Sequence, residues 1–431
     1  MDLALTWLFL PFAAMLILGV PIAFALLAAC LAFVAFAGTP VPSAILITEL
    51  AASLDSYALL ALPTFVMTGE LLNRAGLTDR LVRLAMSLVG WIRGGLAHVT
   101  TVTGMLLGCI SGSALADAAT LGPLMIPAMK KEKYPAAFAA AISGAAATIG
   151  AILPPSVPLI IIGSQLGLSI GGLFLAGVVP GILTGLALML VSWIIARRGR
   201  YGTIHPFPGG ASVLRATGSA TPILVIPVII LGGILTGMFT PTESGAIAVL
   251  YASLAGLLFY RSLTFAAWTD ALRQTARVTA STLLIVAVSM VFGRLLTYLQ
   301  VPQDLLQLML GITENRVVLF LIVVAFLLLI GTLMDAVANM IILGPLLMPL
   351  ALQGLGMEPL QYGMFLMYGL LLGVLTPPLG IVLFIVAPIA KVSLEQISLA
   401  TLPFLGAMLG VLTLIAFVPG ITTWLPRMAG Y

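Results

Sequence analysis

The sequence predicts an all-α polytopic membrane protein made of two inverted structural repeats, each with a re-entrant hairpin and a broken transmembrane helix. Three observations predict it. Charge is nearly absent over long stretches, one phrase recurs with a shift of 344 − 122 = 222 residues, and the positive loops change places between the two copies.

Composition comes first. Of 431 residues, 61% are hydrophobic and 7% charged, where soluble proteins carry roughly a quarter charged residues. Residues 3–48 and 136–196 contain no Asp, Glu, Lys or Arg. A bilayer passage takes about 20 residues, so each run has room for at least two. A barrel would instead show short alternating strands. The chain opens Met1-Asp2 and enters apolar sequence without a basic leader, which predicts a retained first helix. Cys30 and Cys109 sit in apolar context and imply no disulfide framework. His98 and His205 build no metal site without carboxylate help, and His98 reads as a polar residue near an interface. The net charge of +4 fits cytoplasmic anchoring loops and predicts no nucleic-acid partner. No H-E-x-x-H, G-x-S-x-G or P-loop pattern occurs, so neither an embedded hydrolase nor ATP hydrolysis by that loop is expected.

The repeat is read from landmarks. "SGSALADAATLGPLMIP" (111–127) is answered by "MDAVANMIILGPLLMP" (334–349). The shift puts Ser113 on Asp335, Asp117 on Asn339 and Pro127 on Pro349. Pro154-Pro155 meets Pro377-Pro378, "GELLNRAGLTDRL" (69–81) meets "GRLLTYLQVPQDL" (293–305), and Pro180 meets Pro403, in the same order. The chain therefore divides into a first repeat over 1–200, a cytoplasmic inter-repeat loop over 201–221, and a second repeat over 222–431.

Loop charge orients the halves. "KKEKYP" (130–135) holds three lysines, whereas its counterpart "ALQGLGMEP" (351–359) has no Lys or Arg. One element later the bias reverses: "LGLSIGG" (166–172) is uncharged and "AKVSLEQ" (390–396) carries Lys391. Positive loops stay in the cytoplasm. The halves therefore lie in opposite senses, the inverted-repeat plan of many secondary transporters.

Proline marks the breaks. It removes a backbone donor and costs roughly 3 kcal/mol in a helix interior. "TIGAILPPSVP" (148–158) and "GVLTPPLG" (373–380) place a Pro pair at membrane depth beside Gly and a hydroxyl. Unwound backbone survives there only where it is buried in protein or lines a polar cavity. Its carbonyls can ligate Na+, and half-helix N-termini can face an anion. The phrases at 111–117 and 332–339 precede the breaks and read as hairpin tips. Together they predict two hard-oxygen cation sites flanking one substrate pocket. The plainer alternatives are that Asp117 caps a half-helix or pairs with a distant arginine, that Ser111 and Ser113 serve close helix packing, and that the Pro pairs only kink.

Other motifs read structurally. "TPTE" (240–243) forms a capping box, with Thr240 as the cap and Glu243 three residues on. The Gly104, Gly108, Gly112 ladder permits close packing. Residues 73–93 put Arg74, Arg80, Arg83 and Trp91 among leucines, predicting an interfacial arm helix with a counterpart over 297–310. These arms would brace a moving core against a fixed scaffold, or the first would dock a small subunit.

Three stretches, "GGLAHVTTVTGMLLGCISGSALADAATLGPLMIP" (94–127), "AAISGAAATIGAILPPSVPLII" (140–161) and "GGILTGMFTPTESGAIAVLYA" (232–252), carry a resemblance. They look like the large membrane subunit of tripartite ATP-independent periplasmic (TRAP) transporters, over essentially the whole chain. The resemblance implies an elevator-type architecture in the bacterial inner membrane, with uptake driven by Na+ as the coupling ion. It also implies a small membrane subunit, a periplasmic solute-binding protein and an organic-acid solute such as a C4-dicarboxylate or sialic acid. Carried onto this chain, it implies that Ser111, Gly112, Asp117, Gly150, Pro154, Thr332, Asp335 and Pro377 hold Na+. It implies that Ser113, Pro155, Ser156, Asn339, Thr376 and Pro378 line the substrate pocket. A self-sufficient ion-coupled anion carrier of related hairpin plan is the competing expectation. Uptake without a binding protein would mark it.

Overall fold

A computed structural model describes residues 2–38, 44–203, 205–377 and 379–431, apart from the side chains of Asp2, Leu3 and Ile45. Its described residues form helices joined by short connections. The first half holds α1 (Asp2–Ile17), α2 (Ile22–Phe36), α3 (Ala44–Leu54), α4 (Ala61–Arg74), α5 (Thr78–Val89), α6 (Gly95–Ser111), α7 (Ala114–Lys131), α8 (Ala136–Ile149), α9 (Val157–Leu166) and α10 (Ile170–Gly199). The second holds α11 (Gly210–Leu235), α12 (Pro241–Leu254), α13 (Phe265–Tyr298), α14 (Val301–Ile312), α15 (Arg316–Leu333), α16 (Ala336–Pro349), α17 (Pro359–Gly373), α18 (Ile381–Ala390), α19 (Leu394–Phe417) and α20 (Gly420–Met428). Among the described residues, seven helices are long and apolar enough to cross a bilayer, or up to eight if the bent pair of α3 and α4 is one span.

The two halves correspond element by element. Each has an arm helix (α5, α14), a hairpin (α6–α7, α15–α16), a broken helix (α8–α9, α17–α18) and a long closing helix (α10, α19). Helix α7 begins at Ala114 and α16 at Ala336; α8 begins at Ala136 and α17 at Pro359. These starts preserve the offset of the repeated phrase.

Packing shows the inversion directly. α7 lies against α18 and α16 against α9, so each hairpin's second arm meets the far half of the other repeat's broken helix. Lys130 Nζ, at the end of α7, donates to the carbonyl of Ala390 at the end of α18 at 3.1 Å. Near the end of α9, Gln165 Nε2 donates to the carbonyl of Ile341 in α16. The exit of one hairpin thus shares a face with the exit of the opposite broken helix. That holds when the two hairpins enter from opposite faces. Lys130, Lys131, Lys133, Lys391 and the arginines at the end of α10 gather on one of them, which makes it the cytoplasmic face.

Glycine sets how closely each hairpin can lie on its own broken helix. A Cβ on Gly108 of α6 would collide with the backbone of Gly150, where α8 ends, and one on Gly104 would lie only 2.6 Å from the carbonyl oxygen of Ala146. Gly112, at φ +59°, turns the chain at the tip with Pro155 O only 2.9 Å from where a Cβ would stand. The second half repeats the crossing: a Cβ on Gly331 of α15 would lie 2.8 Å from Gly373 Cα, where α17 ends. The ladder read from sequence is therefore a packing surface, pressed along α8 and its break.

Two boundaries differ from the sequence reading. The expected helix over 73–93 is divided: Arg74 closes α4, and only Thr78–Val89 forms the amphipathic arm. Gly76, at φ +65°, turns the chain between them. The inter-repeat loop expected over 201–221 ends early, because α11 starts at Gly210. Pro208 and Gly209 suggest a loop, but Ala211 to Ala220 hold no breaker beyond one glycine, and helix follows. The capping box at α12 is present, with Thr240 Oγ1 accepting from Glu243 N at 3.3 Å and Glu243 Oε2 accepting from Thr240 N at 2.8 Å.

Two outcomes follow. In a background without native thiols, single cysteines at Lys133 and Lys391 should label from one side of the membrane, and those at Ser169 and Gln353 from the other. Gly108→Ala should lower thermal stability by about 1–3 kcal/mol, as overpacking does. Gly406→Ala, whose Cβ meets nothing within 4 Å, should leave the melting temperature unchanged or raise it.

Candidate functional site

A cavity of about 520 Å³ opens where the two hairpin tips approach one another. The first tip lines it with Ser111, Gly112, Ser113 and Asp117, and the second with Asp335, Ala336 and Val337. The break between α8 and α9 contributes Ala151, Val157 and Pro158. Glu70 and Asn73 of α4, Thr78 of α5, and Gln274, Val278 and Thr282 of α13 close the remaining walls. No arginine, lysine or histidine lines it among the described residues.

At the first tip, Ser113 caps α7, its hydroxyl accepting from Ala116 N at 3.5 Å. That leaves Asp117, one turn in, free for another task. Its Oδ1 accepts a 2.5 Å hydrogen bond from Ser111 Oγ. Its Oδ2 is buried with no hydrogen-bond partner among the described residues. This oxygen lies against Gly150, in space that a Cβ there would fill. Ser111, Asp117 and Gly150 are thus brought together from a hairpin and a helix break. An unpaired carboxylate oxygen buried at membrane depth is costly, so the arrangement suits an oxygen-seeking cation.

The second tip uses the same positions differently. Asp335, in the place of Ser113, caps α16, its Oδ2 accepting from Val337 N at 3.0 Å. Asn339, in the place of Asp117, donates through Nδ2 to the carbonyls of Ile330 at 3.2 Å and Met334 at 3.1 Å. It ties the end of α15 to α16 and does not line the cavity. Thr332 Oγ1 donates back to Leu329 O at 2.7 Å.

The helix breaks hold the remaining expected residues. Ser156 is fully buried, donates to Ala151 O at 2.5 Å and caps α9. Thr376 Oγ1 donates to Leu372 O at 2.7 Å. Ser156, Thr376, Pro154, Pro155 and Pro377 stand behind the cavity and not on its wall, and Pro378 lies outside the described residues. His98 Nε2 contacts Arg93 O at 3.1 Å, and its Nδ1 has no partner among the described residues. Arg294 reaches Glu49 at 3.5 Å and stays off the cavity.

Sequence reading missed Glu70, Asn73 and Gln274 as wall residues. Glu70 had a signal, an acid within an apolar helix; it pairs with Arg74 at 3.3 Å. Gln274, Val278 and Thr282 follow one another every fourth residue, which places them on one face of α13. That face could not be assigned before the fold was known.

Comparison with known proteins agrees with this architecture. Residues 9–421 match the family described as the tripartite ATP-independent periplasmic transporter, DctM component. The chain is 38% identical to the sialic acid TRAP transporter large permease protein SiaM of Vibrio cholerae, covering 98% of this chain and 97% of that one. It is 33% identical to the C4-dicarboxylate TRAP transporter large permease protein DctM of the same organism, covering 99% and 98%. The isethionate TRAP transporter permease protein DctMQ of Oleidesulfovibrio alaskensis is 38% identical over 95% of this chain and 64% of its own length. Among solved structures, the Alcanivorax borkumensis YdaH transporter superposes with a TM-score of 0.60 at 17% identity, covering 87% of this chain and 88% of that one. The Neisseria gonorrhoeae MtrF pump gives 0.53 at 13% identity, covering 86% and 84%. At such identity these two share the fold alone. With its paired hairpins, broken helices and near full-length matches, this inner-membrane chain belongs to the DctM family, the large permease subunits of TRAP transporters.

Proposed function

We propose that this permease takes up a small organic acid together with Na+, the solute being delivered by a periplasmic binding protein and the permease working with a small membrane subunit. The observation that carries the reading is the convergence of helix N-termini on one cavity. The first turns of α7, α9 and α16 all line it. Such ends present backbone N–H groups and partial positive charge to an anion. A volume of about 520 Å³ suits a small solute.

The same wall also carries Asp117, Asp335 and Glu70. Among the described residues only Glu70 of the three has a cationic partner, so an incoming carboxylate meets two acids with no basic neighbour. A bound cation at Asp117 would remove that repulsion, which gives the coupling a physical basis: the ion makes the pocket hospitable to the acid. Ser111, Gly112, Asp117, Gly150 and Pro154 form the first proposed Na+ site. Thr332, Asp335 and Pro377 form the second, with Asp335 also serving as a cap. Ser113 would touch the solute directly; Ser156, Pro155, Asn339 and Thr376 would shape the pocket from behind.

The wall also includes Thr78 and Leu81 of α5, a helix on the cytoplasmic side. This favours an inward-facing arrangement and an alternating movement of the hairpins and broken helices against the arms, in the manner of an elevator. The names of the relatives above, with sialic acid, isethionate and C4-dicarboxylate among them, support an organic acid as the solute.

Proteoliposomes holding the permease and its small subunit should accumulate solute only with both an inward Na+ gradient and the binding protein. Uptake without the binding protein would favour a self-sufficient carrier; indifference to Na+ would overturn the cation sites. Asp117→Asn should reduce Na+-driven uptake at least about tenfold with normal membrane yield, since loss of an interaction with a charged partner is worth about 1.5–3 kcal/mol. Asp335→Asn separates two roles. Asn caps a helix as well as Asp, so lost Na+ dependence with an unchanged melting temperature would assign Asp335 to the ion, and normal uptake would leave it a cap.

A further inference from the structure

A second cavity, of about 770 Å³, lies on the other face of α5, between that helix, the inter-repeat loop and α11. Three arginines line it: Arg80 and Arg83 from α5, and Arg215 from α11. None has a carboxylate within 4 Å among the described residues. Glu132 is engaged by His205, which also lines the cavity, at 2.9 Å and by Thr203 N at 3.3 Å, and neither Glu132 nor Asp79, one turn before Arg83 on α5, is on the cavity wall. Three guanidinium groups facing one space repel one another unless an anion lies between them.

The cavity is built, not a chance gap. The Arg80 guanidinium stacks on the Tyr260 ring at 4.2 Å, and the Tyr260 hydroxyl donates to the carbonyl of Ser219 of α11 at 3.2 Å. This fixes one arginine on the floor and ties the second wall to it. Ser212 adds a hydroxyl, whereas the Ser87 hydroxyl donates to Leu84 O at 2.7 Å within α5. Arginine's planar fork suits phosphate oxygens in pairs.

The surroundings bear on where such an anion would come from. Leu88, Trp91, Phe207 and Leu214 stand exposed beside the cavity, with Trp91 and Phe207 packed edge to face at 5.7 Å. The site lies on the face where the lysine loops gather. A basic floor with an apolar rim at the cytoplasmic boundary fits a head group whose acyl chains remain in the bilayer.

We propose that this cavity binds the phosphate of an anionic phospholipid head group and so fastens the arm α5 to α11. The site is separate from the solute cavity and does not depend on the solute's identity.

The test is lipid retention by the full purified chain, read by native mass spectrometry. Phosphatidylglycerol and phosphatidylcholine would be titrated against wild type, Arg83→Gln/Arg215→Gln and Arg273→Gln. Arg273 is an exposed arginine already paired with Asp270, and Arg80 is kept because its stacking holds the wall. Phosphatidylglycerol affinity should fall about tenfold or more in the double variant and stay unchanged in Arg273→Gln, with phosphatidylcholine equal in all three. Equal phosphatidylglycerol retention by the double variant would overturn the proposal. Millimolar inorganic phosphate filling the site without any lipid preference would overturn the lipid as the source of the anion. Loss of a co-purifying membrane subunit with lipid retention intact would assign the groove to a protein partner and overturn it too. A double variant that melts like wild type in phosphatidylcholine, yet is no longer stabilised by phosphatidylglycerol, would support it.

Discussion

Everything at the centre of this protein depends on two places where backbone meets backbone. Gly108 rests on Gly150 in the first half and Gly331 on Gly373 in the second, each a hairpin arm crossing a helix just as that helix breaks. Without a Cβ at these points the arms close to within one atom layer, and both tips can reach the unwound segments behind them. The tip chemistry, the cavity between the tips and the convergence of helix ends follow from that closeness. Interiors packed to crystal density transmit such constraints, because neighbouring atoms cannot absorb an extra methyl group.

The halves obey one plan but divide the work unevenly. Where the second half places Asn339, which stitches the end of α15 to α16 through two carbonyls, the first half places Asp117 with one oxygen unpaired among the described residues. The amide is a structural fastener. The acid keeps open a valence that hydrocarbon surroundings make costly. A duplicated fold thereby holds a satisfied tip beside an unsatisfied one.

Much of this was legible beforehand. Scarcity of charge, the recurrent Gly-Pro-Leu phrase and the exchange of lysine loops led to the membrane class, the duplication and its inversion. The contact of Lys130 with Ala390 bears the inversion out. Cap positions were legible as well, since Thr240 and Glu243 close locally. Pocket walls were not. Whether Ser156 faces a cavity or turns inward to Ala151 depends on how two unwound segments lie against a hairpin, and no local spacing encodes that. Gln274 became a wall residue only because α13 happens to turn that face toward the tips. Proline marked where the helices stop, while the direction of the freed groups is a property of the assembled fold.

One asymmetry reaches beyond the site. Helices α3 and α4 meet at 53°, whereas the matching stretch of the second half, α13, runs uninterrupted from Phe265 to Tyr298. One half is thus held by a jointed strut and the other by a rod. A rearrangement in which the halves simply traded shapes would have to melt a turn in α13 and heal the joint between α3 and α4. Exchanging the shapes of the two halves is therefore not a symmetry operation of this fold: the joint belongs to one half and the rod to the other.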